Sequence, residues 1–145
     1  MKKSPQLMRG PLGRHTMTVH NAIDLADQIL PGAVAPEGQE DPRWQRVIEI
    51  GTYIESDPEP IWEFVARWGT HQDEDLRLAI ATCLLEHLLE HHFELVFTRV
   101  EPLALSNARF ADTFSSCWKF GESEEPANSA RFDALKAKLR ADGAA

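Results

Sequence analysis

The sequence predicts an all-α fold, a short solenoid of about three helical hairpins closed by a C-terminal capping helix. Three observations carry that expectation. In the stretch 73–93, DEDLRLAIATCLLEHLLEHHF, Leu76, Ile80, Leu84 and Leu88 recur every fourth residue while Leu78, Ala81, Leu85 and Leu89 fill the adjoining rows. A helix there is apolar over more than one stripe and needs neighbours on at least two sides. Asp41-Pro42-Arg43, Asp75-Leu76-Arg77 and Asn107-Ala108-Arg109 each open a long apolar helix, and their arginines fall 34 and then 32 residues apart, an internal repeat of hairpin length. No segment alternates with the period of a strand.

Taken in order, residues 1–18 carry Pro5, Gly10, Pro11 and Gly13 among scattered basic residues and read as a flexible N-terminal tail. Residues 19–140 form the single domain, and 141–145 read as a disordered C-terminus. Val19, Ala22, Ile23, Ala26 and Ile29 or Leu30 share one helical face, which Pro31-Gly32 terminates. After a loop of turn formers, Asp41 is the N-cap and Pro42 the first position of a helix with Trp44, Val47, Ile48, Gly51 and Ile54 on one side. Ser56 to Pro60 breaks the chain again, and Ile61, Trp62, Phe64, Val65 and Trp68 form the apolar side of a third helix ended by Gly69. The central helix comes next. Another runs from His92 or Phe93 to about Leu105, where Pro102 should kink or break it. Asn107 caps a sixth helix reaching about Phe120. Beyond the acidic GESEEP linker a last amphipathic helix spans about Asn128 to Leu139.

Superposing the three long helices in the arginine register gives the columns Trp44/Leu78/Phe110, Val47/Ala81/Thr113, Ile48/Thr82/Phe114, Gly51/Leu85/Cys117 and Ile54/Leu88/Phe120, mostly apolar and at helical spacing. Each long helix is preceded by a shorter one. At this point the chain resembles a HEAT-like α-helical repeat protein over about residues 19–121, most clearly in PIWEFVARWGTHQDEDLRLAIATCLLEHLL, with Asp73 or Asp75 in the turn and Arg77 in the first helical turn. The resemblance implies a right-handed stack in which turn aspartate and helix arginine pair into a ladder: Asp75 with Arg77, Asp41 with Arg43, and Asn107 in place of an acid beside Arg109. It implies scaffolding more readily than chemistry. Such a stack needs polar end caps, and NSARFDALKAKLRAD fits that role.

At 145 residues, 43% hydrophobic and 26% charged, the composition is that of an ordinary globular domain, but the net charge of −8 is not ordinary. That field repels nucleic-acid phosphates and anionic lipid and favours a protein partner with a basic surface. No window reaches the length of an apolar membrane span, and the start lacks the apolar run of a signal peptide. Cys83 and Cys117 lie among apolar residues as free thiols, so the expected compartment is cytoplasmic.

His87-Leu88-Leu89-Glu90-His91 matches H-x-x-E-H, in which two histidines a helical turn apart hold zinc and the glutamate acts as base. It lacks an evident third ligand and a cleft-forming strand. A packed His87, with His91 near the helix end where the dipole favours a cation, needs no metal, and no cofactor is expected. The helix columns left over from the core, Arg46/Ile80/Asp112, Glu49/Cys83/Ser115 and Tyr53/His87/Lys119, would line the concave side of a HEAT-like stack. The expected binding surface is therefore a shallow groove of Arg46, Glu49, Tyr53, His87, Asp112 and Lys119, with Glu90 and Glu122 at its lower edge. Trp44, Trp62 and Trp118 read as packing residues and Trp68 as the exposed interface anchor.

The expected function is non-enzymatic: an adaptor or an inhibitor or immunity-type protein. Two alternatives are a DNA-binding module similar to HEAT-like alkylation-repeat proteins, which the charge opposes, and a zinc-dependent hydrolase using His87, Glu90 and His91. Oligomeric state is not legible.

Overall fold

Side-chain oxygens placed just ahead of apolar runs set where several helices begin. The Thr18 hydroxyl accepts from the Asn21 N–H while Asn21 reaches back to the Thr18 N–H, a reciprocal cap that opens α1, Val19–Ile29. Asp41 accepts from the Arg43 N–H at 2.9 Å and Pro42 occupies the first position of α2, Pro42–Gly51. α3, Pro58–Trp68, also opens on proline. Asp73 accepts from the N–H groups of Asp75 and Leu76 to start α4, Glu74–Ile80. Asn107 does the same from the Phe110 N–H for α7, Ala108–Ser115. Each cap satisfies donors that the helix itself leaves open.

The computed structural model describes residues 17–32, 35–36 and 38–144, and among them every regular element is helical. Residues 1–16 of the expected tail lie outside the described residues, whereas Met17 packs against the core and Thr18 is a cap. α4 continues through a π-helical turn, Ala81–Leu85, into α5, Glu86–His91, so residues 74–91 form one long central helix with an extra residue in its middle turn. α6 spans Phe93–Ser106, a 3₁₀ turn Gly121–Glu124, and α8 Pro126–Ala144. No helix among the described residues is long and apolar enough to cross a membrane.

The long helices neighbour one another in chain order, α2 against α4 and the π turn, and these in turn against α7. α1 packs on α2 and α3, α3 on α4, α6 on α5 and α7, and α8 lies against α6 and α7. The buried side chains form one cluster. Within it Phe93 stacks on Phe97, Phe97 meets Phe114, and Phe114 meets Phe132 with centroids 4.8 Å apart. Phe132 and Leu135 thereby fix α8 to the body, each contributing on the order of 2 kcal/mol by burial.

Two salt bridges tie one hairpin to the next. Arg43 Nη1 donates to Asp73 at 2.9 Å, and Arg77 Nη2 donates to Asp112 at 2.8 Å. The arginines therefore reach across to the following unit, where the sequence expectation paired Arg77 with Asp75 of its own turn. Asp75 instead accepts from Trp44 Nε1 at 2.9 Å. Asp75 and Arg77 both lie within α4, where residues two apart do not face each other, whereas Asp41, the N-cap outside α2, does pair with Arg43 at 3.3 Å.

Other differences have equally local causes. α6 is not broken at Pro102; the carbonyl that loses its donor there belongs to exposed Thr98. α7 stops at Ser115 rather than near Phe120: the hydroxyls of Ser115 and Ser116 bond back to the carbonyls of Ala111 and Asp112, and residues 117–120 leave the helix. Trp118 is consequently 72% exposed and not a packing residue. Trp68 is half-buried, its Nε1 donating to Asp27 at 2.7 Å, and is not the exposed anchor. α8 continues to Ala144, so the tail expected to be disordered from residue 141 is helical up to there.

Candidate functional site

The π turn decides which side chains of the central helix reach the surface. Its extra residue rotates the second half of the helix relative to the first. Ile80, expected in the groove, is fully buried, while Thr82, Cys83, His87 and His91 share a face. α2 lies alongside. Its close approach is set at Gly51, where an added Cβ would come within 3.4 Å of the Cys83 carbonyl and 3.7 Å of the Leu84 side chain. Polar contacts hold the pair at both ends: Arg43 and Trp44 bond to Asp73 and Asp75, and a His92 ring nitrogen lies 2.9 Å from the Ile54 carbonyl.

Between the two helices lies a cleft of about 420 Å³. From α2 and the turn after it come Ile48, Gly51, Thr52, Ile54 and Glu55. The central helix supplies Thr82, Cys83, His87 and His91. A second depression, lined by Glu40, Gln45, Arg46 and Glu49 among others, adjoins it and shares Ile48.

Next to the cleft the histidines and glutamates form a network. His87 Nδ1 lies 2.7 Å from Glu90 Oε1, its Nε2 3.6 Å from Glu86 Oε2, and His91 Nε2 3.7 Å from Glu90 Oε1. The His87 ring stacks on Phe120, centroids 5.6 Å apart. Glu86 is 6% exposed and accepts from the Trp118 backbone N–H at 2.9 Å. Burial pushes its carboxyl above the ordinary glutamate value, and that N–H together with His87 offsets part of the rise. The Nδ1 contact with Glu90 is within hydrogen-bond distance, whereas the Nε2 contact with Glu86 is longer than a hydrogen bond. Among the described residues no group of three or more histidine, cysteine, aspartate or glutamate side chains is arranged to hold a metal.

The site residues expected from the sequence are dispersed. His87 and Glu90 belong to the network, with His87 also lining the cleft. Arg46 and Glu49, 3.0 Å apart, line the adjoining depression. Tyr53 lies at the end of α2 and donates to the Met17 carbonyl at 3.0 Å. Asp112 belongs to Arg77, Lys119 bonds to Asp133 at 2.9 Å and to Ser129, and Trp68 lies with Asp27; none of these three lines the cleft.

Sequence reasoning missed Ile48, Thr52, Glu55, Glu86, Trp118 and Phe120. Ile48 and Phe120 were placed in core columns yet are 47% and 39% exposed, as is Leu78 at 43%. Phe120 stacks on the cleft residue His87, Trp118 precedes Phe120 by two residues, and Leu78, a turn before Thr82, lines a separate depression with Asp75 and Asp112. Glu86 carried no sequence signal, because its burial depends on a backbone donor 32 residues away.

No curated protein and no solved structure matches the chain. The profile of a family described as a "Family of unknown function (DUF6869)" matches residues 33–138, a span that contains α2, the central helix, the cleft and the whole histidine–glutamate network. The chain belongs to that family.

Proposed function

We propose that the protein is a non-enzymatic interaction module, an adaptor or an inhibitor or immunity-type protein, that binds a partner with a basic surface along the face of α2 and the central helix. One observation carries the reading: Ile48, 47% exposed, lines the cleft together with Glu55, and Phe120, 39% exposed, stacks on the cleft residue His87, which Glu90 also meets. Single exposed hydrophobics are ordinary on any surface, but two at one concave site beside acidic residues fit an interface core with a polar rim. The excess of acid over base selects the sign of the partner. It argues against the DNA-binding alternative, since duplex binding relies on lysines and arginines that neutralise phosphates.

A HEAT-like stack is the architecture we propose for this surface. The support is the pairing of Arg43 with Asp73 and of Arg77 with Asp112 across successive hairpins, together with long helices that touch in chain order. Zinc hydrolysis has less support. Among the described residues no group of three or more histidine, cysteine, aspartate or glutamate side chains supports it.

The test is capture of the partner from the native host by full-length protein carrying Trp118→Ala and Phe120→Ala. Exposed aromatic anchors at interface centres typically contribute about 2 kcal/mol or more. Capture is expected to fall at least about tenfold while circular dichroism is unchanged. Undiminished capture by the double variant would remove this face from consideration.

A further inference from the structure

The basic residues of this chain are not spread evenly. Lys2, Lys3, Arg9 and Arg14 all precede Thr16, in company with Leu7, Met8 and Leu12, whereas all 23 acidic residues lie downstream of them. A basic segment bearing aliphatic side chains is the chemistry that the cleft selects, an inference that rests on the interface reading of the cleft.

The place where that segment joins the described structure is equally specific. The Met17 carbonyl accepts from the Tyr53 hydroxyl at 3.0 Å, and Tyr53 stands between Thr52 and Ile54, both of which line the cleft. Extended chain covers about 3.3 Å per residue, so three to five residues ahead of that anchor reach at most roughly 10–17 Å and nine or ten residues about 30–33 Å. α2 itself is about 15 Å long. The reach therefore covers the cleft with its Glu55 and continues to the adjoining depression with Glu40 and Glu49, which shares Ile48. A tether this short gives an effective concentration of the order of millimolar, so even weak intrinsic affinity suffices for occupancy.

We propose that the segment Lys2–Arg14 of this same chain occupies the cleft between α2 and the central helix, with leucine or methionine against Ile48, Ile54 and Cys83 and its cations facing Glu49 and Glu55. The partner then competes with an internal ligand of its own chemistry. Affinity for a partner is lowered by whatever the segment contributes, and anything that neutralises the four cations raises it.

Cys83 reports on the proposal directly. It lines the cleft half-buried, whereas Cys117 is buried, so a small alkylating reagent reads Cys83. The experiment compares iodoacetamide alkylation of the full chain with that of the full chain carrying Lys2→Glu, Lys3→Glu, Arg9→Glu and Arg14→Glu, at low and at high salt. Expected is about fivefold faster alkylation in the variant at low salt, with the wild type approaching it as salt screens the attraction. Equal rates at low salt overturn the proposal. Protection that disappears on dilution also overturns it, because the occupant would then be the segment of a second copy. Equal rates alongside loss of partner capture in the Trp118→Ala, Phe120→Ala variant would overturn this inference while leaving the interface reading standing; undiminished capture would overturn that reading instead.

Discussion

Replacing Arg43 with alanine is expected to lower the unfolding free energy by about 3 kcal/mol, the loss typical of one partner removed from a buried ion pair. Arg43 is 3% exposed and its guanidinium lies 2.9 Å from Asp73, 3.3 Å from Asp41 and 3.8 Å from Asp75. The variant leaves these carboxylates clustered at the joint between the first two hairpins without a cation. The effect should depend on pH in a defined sense. Hydrogen bonding to Arg43 holds the Asp73 carboxyl below its ordinary value of 3.8. At Asp41 burial pushes upward, but the Arg43 backbone N–H and guanidinium outweigh it, and this carboxyl too is lowered. A carboxyl depressed in the folded state stabilises at every pH above its unfolded value and loses that stabilisation as pH falls through the folded one. The gap between wild type and Arg43→Ala in urea denaturation should thus be constant above about pH 5 and shrink below the ordinary aspartate value of 3.8. A gap that widened in acid would contradict this account of the joint.

Leu84→Ala is expected to cost about 3–4 kcal/mol. Leu84 is fully buried in the π turn, and its Cδ2 packs close to Gly51 of α2, under the floor of the cleft. Truncation removes a side chain packed where α2 approaches the central helix at Gly51. In a chain of 145 residues that cost corresponds to a fall in melting temperature of about 10 °C. A loss below about 1 kcal/mol would mean that the site collapses around the missing atoms.

Helix identity was legible because caps and apolar spacing are local. Asp41, Asp73 and Asn107 each accept from the N–H two or three residues on, and the Val47/Ala81/Thr113 column is buried in all three long helices, as the repeat register requires. The candidate surface was less legible. A single extra residue in the turn 81–85 changes which face of the central helix meets water, and the residues there, Ala-Thr-Cys-Leu-Leu, differ little from any buried helix. α7 ends at Ser115, so Trp118 and Lys119 do not occupy the helical positions that the spacing assigned them. His87 was found because histidine draws attention on an apolar helix; Glu86 beside it is buried through contacts that no local pattern encodes.

The most direct measurement of where a partner sits is site-specific photo-crosslinking in full-length protein, with a benzophenone side chain placed in turn at Thr52, at Thr82 and, on the outer surface of α6, at exposed Leu105. Covalent adducts with the captured partner from Thr52 and Thr82, and none from Leu105, are the predicted result. Adducts formed from Leu105 alone would place the partner away from α2 and the central helix and contradict the account.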